Sequence, residues 1–305
     1  MGADATTPTD CDVVVVGGGP SGCAAGVFTT RYGLETVVFD RGNAALRRCA
    51  YLENYLGFPA GIDVDTFYGL IRAHAERAGC DVVSDRVESA ERTEGEPTFA
   101  VETQDGRRVT TDHVIAAAWY DGEYLRPLSG DEPFEAHEHD GEEHEHFDPG
   151  YADENGRTPV DGLYVAAPSG QRNVQAIVAA GHGTHVARCL LEDRRSERGY
   201  PDGVAAHYDW LRRDGEFSGE WGDRDRWREW FEDEAGDDHG LTAKRYEELR
   251  ERYIDRAFET RVSDAAVEER SRRGLRRLVE TIGTERVLDA VDDREIRTYI
   301  AGEDA

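Results

Sequence analysis

The sequence predicts an α/β chain in which a parallel sheet carrying helices and a small β-hairpin meander is followed by a small all-α domain, and three observations lead there. An apolar run, Asp12 to Val16, ends in glycines spaced G-x-G-x-x-G (Gly17, Gly19, Gly22) and opens into a helix of small residues. Short apolar strands then alternate with an amphipathic helix, and two later strands return, His113 to Ala118 and Gly162 to Ala167. From Pro201 onward the chain reads as charged amphipathic helices. Alternation of this kind builds a Rossmann-like sheet.

Each element has its own signal. The helix Gly22 to Tyr32 leads into Thr36 to Asp40, a β-rich run ending in an acid at roughly the 20-residue distance at which a ribose-binding carboxylate is expected. An arginine-rich loop, Arg41 to Arg48, precedes Cys49 to Pro59. Val64, Phe67, Leu70, Ile71 and Ala75 recur at helical spacing over Val64 to Ala78, closed by Gly79. Cys80 to Val83 and Arg86 to Ala90 read as short strands. Thr98 to Thr103 and Arg108 to Thr111 flank an Asp-Gly turn and predict a hairpin. Asp121 to Pro159 is a polar, acidic connection, and Val174 to Leu191 a helix whose small residues permit close packing. In the C-terminal part, helices are predicted over Val204 to Arg213, Asp225 to Glu234, Thr242 to Thr260, Asp264 to Ile282 and Glu285 to Ala301. The domains are placed at 10–195, containing the acidic stretch 121–159, and at 201–305.

The glycine spacing has a physical reading. Gly17 permits a tight turn, Gly19 lets a pyrophosphate approach the backbone, Gly22 permits close helix packing, and the helix N-terminus presents free N–H groups and a positive dipole end. The predicted ligand is therefore a dinucleotide. The competing reading is a glycine-rich turn that binds nothing.

Composition narrows the classes further. The chain has 305 residues, 64 acidic against 36 basic, a formal net charge of -28 and a single lysine, Lys244. Such a balance repels nucleic acid and anionic membranes. Acids spread along the whole chain are similar to the style of proteins from extreme halophiles, whose carboxylate surfaces stay hydrated in concentrated salt. The polar, acidic N-terminus is unlike a secretory signal, and no apolar run approaches the ~20 residues that span a bilayer. The expectation is a soluble, cytoplasmic protein. Five cysteines without a C-x-x-C pair argue against a disulfide framework or a zinc knuckle.

From residue 10 to about 192, the order of elements resembles the split FAD-binding domain of the thioredoxin-reductase-like flavoproteins. Three stretches carry the resemblance: the glycine fingerprint, Glu53 to Phe58 (similar to an E-N-x-P-G segment beside the flavin), and Gly162 to Ala167 with Val174 to Gly181 (similar to the C-terminal flavin-contact segment). The resemblance implies FAD as cofactor, a flavin-dependent oxidoreductase activity and a possible homodimer. It implies that the fingerprint (Gly17, Gly19, Pro20, Ser21, Gly22) holds the ADP half, Asp40 the ribose, Asn54 the isoalloxazine edge, and Val174, Gln175 and Ala176 the flavin end. Arg41, Val87 and Ala117 are assigned to the cofactor in the same way.

The departures are as informative. The family inserts a pyridine-nucleotide domain of about 100 residues or more between the two FAD segments, whereas the connection here is short and holds no second fingerprint. The redox C-x-x-C is missing too, so the expectation is an oxidoreductase with an external electron donor. Ala117-Ala118-Trp119 replaces an A-T-G segment, Ala167-Pro168 replaces G-D, and Ala44-Ala45-Leu46 replaces a glycine-glycine-glutamine turn. Trp119 and Pro168 favour the alternative, a redox-silent regulatory or scaffold protein holding FAD or another adenine dinucleotide structurally.

Cys49 is the catalytic candidate. It precedes Glu53-Asn54 and follows Arg47-Arg48, which can lower a thiol pKa. With Arg47, Arg48 and Asn54 it is expected around the ring. The opposing reading is an unreactive buried cysteine, as Cys23 is expected to be. His137, His139, His144 and His146 form two H-x-H pairs of a kind that can bind zinc, nickel or copper, against which stands a solvated acidic loop. Trp210, Trp221, Trp227 and Trp230 are expected to be packing residues, with a substrate lid as the alternative.

Overall fold

A computed structural model describes residues 9–42, 44–118, 122–139, 142–166, 175–207, 211–236 and 239–302. The chain divides into two compact units, Met1–Leu191 and Glu192–Ala305.

The first unit is built on strands β1 (Thr9–Val16), β2 (Thr36–Phe39), β3 (Asp81–Val83), β4 (Val87–Arg92), β5 (Phe99–Thr103) and β6 (Arg108–Ala116), with helices α1 (Pro20–Arg31) and α2 (Val64–Ala78). The connection that follows holds a short helix α3 (Arg126–Ser129) and the strands β7 (Phe134–His139) and β8 (Glu142–Phe147). Strand β9 (Leu163–Val165) and helix α4 (Ala176–Glu197) complete the set.

Among the described residues the main sheet runs β3-β2-β1-β6-β5-β4, and β9 also pairs with β6. Pairs β3–β2, β2–β1, β1–β6 and β6–β9 are parallel, while β4–β5 and β5–β6 are antiparallel. One edge of β6 serves two partners: its N-terminal half carries β5 through Phe99↔Thr111, and its C-terminal half carries β9 through Val114↔Leu163. The result is a Rossmann-like parallel sheet with an antiparallel meander grafted onto its last central strand.

The sequence explains the central strands. Val13 to Val16 are 0–1% exposed, which is why the run is apolar at every position instead of alternating. Burying each such side chain contributes about 1.5–3 kcal/mol. Helix α2 has the predicted bounds because both ends are fixed locally. The Asp63 carboxylate accepts from Thr66 N at 2.9 Å, and Gly79 closes the helix at φ 117°.

Four predicted elements differ. Arg108 to Thr111 and His113 to Ala118 are one strand, β6, because β1 pairs with it on both sides of Asp112, through Cys11↔Thr111 and Val13↔His113. The acidic connection is not a plain loop: β7 and β8 pair antiparallel, with His137 opposite His144. Of the predicted helix Val204 to Arg213, the described residues form the single turn α5 (Asp202–Ala205) and the strand β10 (Arg212–Arg213). Arg195 Nη1 donates to the carbonyls of Ala205 (3.0 Å) and His207 (2.5 Å) at the end of that turn. Glu285 to Ala301 splits into two helices where Asp292 caps the second, accepting from Arg294 N at 2.7 Å.

The second unit otherwise consists of α6 (Arg224–Ala235), α7 (Ala243–Glu259), strand β11 (Arg261–Val262), α8 (Asp264–Ile282), α9 (Thr284–Asp289) and α10 (Asp293–Ala301). Strands β10 and β11 form a two-residue parallel pair among the helices. Trp227 is buried and its ring meets Trp221 and Trp230 at 5.2 and 6.0 Å. Those tryptophans pack the core, and Trp210 lies outside the described residues. Among the described residues no helix is long and apolar enough to cross a membrane.

Candidate dinucleotide site

At the C-terminal edge of β1, β2 and β6 the first unit encloses a cavity of about 670 Å³, within the 300–1,000 Å³ usual for cofactor sites. This is where open α/β sheets bind ligands. The turn after β1 forms its floor: Gly17, Gly18, Gly19, Pro20 and Ser21 all face it.

The glycines act as their spacing suggests. Gly17 has φ 115°, and a Cβ there would sit 2.8 Å from the Ala117 carbonyl carbon. A Cβ on Gly22 would lie 1.8 Å from Gly17 O, so α1 can close onto the turn only without a side chain. Gly19 is different. It has φ -77°, and a Cβ there would meet nothing nearer than 3.8 Å. A methyl would fit there in ordinary contact, Gly19 lines the cavity, and no side chain caps α1. This is the arrangement an anionic group needs. Gly183 of α4 lets that helix approach Ser21, and Ser21 Oγ donates to Ala166 O, tying α1 to the end of β9.

Asp40, just past β2, is 7% exposed and lines the cavity. Its carboxylate accepts from Gly42 N at 2.8 Å, while Arg72 Nη1 stands 4.0 Å away. Gly18 has no room for a side chain because Asp40 occupies that place. Arg41 and Ala117 also line the cavity. The opposite wall comes from the segment after β2: Ala44, Ala45, Leu46, Arg48, Cys49, Glu53 and Asn54. Asn54 Nδ2 donates to Gln175 Oε1 at 2.6 Å, and Gln175 and Ala176 line the same cavity.

Cys49 is exposed, against the buried reading of it, and its thiol donates to Tyr51 O at 3.1 Å. Cys23 is buried, and desolvation pushes its thiol up to about 12. Arg47 does not reach the cavity: it pairs with Asp65 at 3.2 Å and lies 4.7 Å over the Tyr68 ring. Val87 is also away from it, 1% exposed in the sheet core. Val174, Trp119, Pro168 and Ala167 lie outside the described residues, as do the side chains of His137, His139, His144 and His146.

Sequence reasoning passed over Asp85 and Tyr68. Asp85 lines the cavity at 8% exposure. Its signal was available, since it follows the apolar end of β3 much as Asp40 follows β2. Tyr68 is 5% exposed on α2, its buried hydroxyl has no hydrogen-bond partner among the described residues, and it lies 3.8 Å from where a Gly19 Cβ would be. A phenol at an apolar position of an amphipathic helix was its only signal.

No family model matches the chain. A thioredoxin reductase from Streptomyces clavuligerus is 34% identical over 85 residues, 27% of this chain and 26% of that protein. NADPH-dependent thioredoxin reductase 3 of Arabidopsis thaliana is 32% identical over 121 residues, 38% and 22% of the two chains. A thioredoxin reductase from Aquifex aeolicus is 31% identical over 109 residues, 35% and 33%. The chain thus spans a third or less of these relatives' length. In structure it is similar to a thioredoxin reductase from Gloeobacter violaceus, with a TM-score of 0.51 and 19% identity over 67% of this chain and 98% of that one. The fold is thioredoxin-reductase-like.

Proposed function

We propose that the first unit holds FAD and that the protein is an FAD-dependent oxidoreductase, a minimal thioredoxin-reductase type that takes electrons from an external donor. The observation that carries this reading is one cavity lined both by the glycine turn and by the bonded pair Asn54–Gln175. The two halves of a dinucleotide need these two kinds of wall. The residues fit the group: an open, uncapped helix N-terminus above Gly19 for phosphates, and a buried carboxylate on Asp40 for ribose hydroxyls.

Bound FAD would supply a redox centre in its isoalloxazine ring. The chain's own residues hold and orient it. The α1 N-terminus offsets the pyrophosphate charge, Asp40 accepts from hydroxyls, and Asn54 with Gln175 fixes the ring end. Cys49, exposed on the cavity wall, is the thiol available to a disulfide or sulfur substrate. The external donor is supported by the stretch between β6 and β9, which contains α3 and the β7–β8 hairpin in the place where the resemblance would put a pyridine-nucleotide domain.

Purification in concentrated salt followed by a visible spectrum tests the reading. A yellow protein that bleaches with dithionite but not with NADPH supports it. Rapid bleaching by NADPH removes the external donor, and a bound flavin that dithionite leaves unreduced favours a structural role.

A further inference from the structure

A buried hydroxyl without a hydrogen-bond partner is rare and costly, so its place in the fold calls for a partner. Tyr68 carries one. Its ring is packed among Leu52, Ile62, Val64 and Phe67 and is 5% exposed, yet its Oη lies beside Gly19, at the mouth of α1. Three features meet there: the uncapped N-terminus of a 12-residue helix, Gly19 lining the cavity with room for a methyl in ordinary contact, and a donor unused among the described residues. Tyr68 is held in place from both sides, since α2 is capped by Asp63 and the Arg47 guanidinium lies 4.7 Å over its ring.

We propose that Tyr68 is a cofactor-binding residue of this chain, donating its hydroxyl hydrogen bond to the pyrophosphate of the bound dinucleotide. This rests on the reading of the cavity as an FAD site. The phenol is suited to the task. Burial, and then the Asp40 carboxylate, push its pKa well above the ordinary value, so at neutral pH it is a proton donor. A hydrogen bond to an ionised oxygen is the stronger kind, and binding would satisfy a group that has no partner among the described residues.

The test is Tyr68→Phe, which removes only the hydroxyl. Affinity for FAD, and for ADP as a probe carrying the pyrophosphate without the flavin, is measured by titration, alongside thermal unfolding of the free protein. The expected result is FAD and ADP affinity weakened about tenfold or more, with the free variant as stable as wild type or more so. The phosphorus resonances of bound FAD should also move in the variant. Unchanged affinities and resonances in a variant whose wild-type parent binds FAD overturn the role of Tyr68 and leave the FAD site standing. A free variant less stable than wild type also overturns it, because the hydroxyl then has a partner without ligand. A wild-type protein that binds neither FAD nor ADP overturns the site itself and this role with it.

Discussion

Asn54 and Gln175 lie 121 positions apart and are joined by a hydrogen bond of 2.6 Å across one wall of the cavity. The bond brings together the segment after β2 and the start of α4, the two stretches whose sequences resemble flavin contacts. Both side chains are exposed, so neither is there to build a core. Asn54→Ala is therefore expected to leave thermal stability nearly unchanged, within about 0.5 kcal/mol. It should weaken FAD binding and shift the visible spectrum of the bound flavin. Equal loss of stability and binding would make the pair structural.

The glycine turn makes a sharper pair of predictions. Gly22→Ala places a methyl 1.8 Å from Gly17 O, so α1 must move, and unfolding should become easier by about 1–3 kcal/mol. Gly19→Ala has an ordinary φ and nothing within 3.8 Å. It should keep its stability and lose dinucleotide affinity, because the methyl enters the space left for phosphate. Denaturant melts and FAD titrations on the two variants check both statements.

The second unit carries a pH signature. Glu251 accepts from Arg228 Nε at 2.9 Å and is also bonded by Arg224 and Arg250. The Arg228 hydrogen bond is foremost in holding its carboxyl down to about 2 from an ordinary 4.5. A depressed folded value means that the stabilisation is full above about 4.5 and is lost as pH falls toward 2. Glu251→Gln should therefore lower the melting temperature at neutral pH, and the gap to wild type should close toward pH 2. The side chain is 30% exposed, so solvent screening keeps the effect modest.

The acid excess sets the response to salt. With a net charge of -28, self-repulsion opposes the compact state, and at about 1 M salt the screening length falls to roughly 3 Å. We propose that the surface is adapted to concentrated salt, so melting temperature should climb continuously from dilute buffer into molar salt. A maximum at intermediate salt would speak against the adaptation.

Much of the site was legible from local rules. The glycine spacing, Asp40 after an apolar strand, and the caps of α2 are written in neighbouring residues, and local chemistry decides them. Other features depend on partners distant in sequence. The unity of β6 depends on β1 running beside Asp112, and the Ala205 carbonyl at the end of α5 is taken by Arg195, ten positions earlier. The β7–β8 pair is mostly His and Glu, and its apolar contact, Phe134 against Phe147, joins residues at opposite ends of the stretch. Val87 looked like a cofactor contact only by resemblance, and the sheet core accounts for it. Tyr68 was hidden because a phenol on an apolar helix face reads as core until its hydroxyl is seen without a partner.

If the cavity at Gly19 holds FAD, flavin-free protein must bind it. Titration of flavin-free protein in concentrated salt, followed by quenching of flavin fluorescence, tests it most directly. The expected result is saturable binding of one FAD per chain, competed by ADP and weakened by Gly19→Ala. Fluorescence that shows no saturation, or binding that ADP and Gly19→Ala leave unaffected, would contradict it.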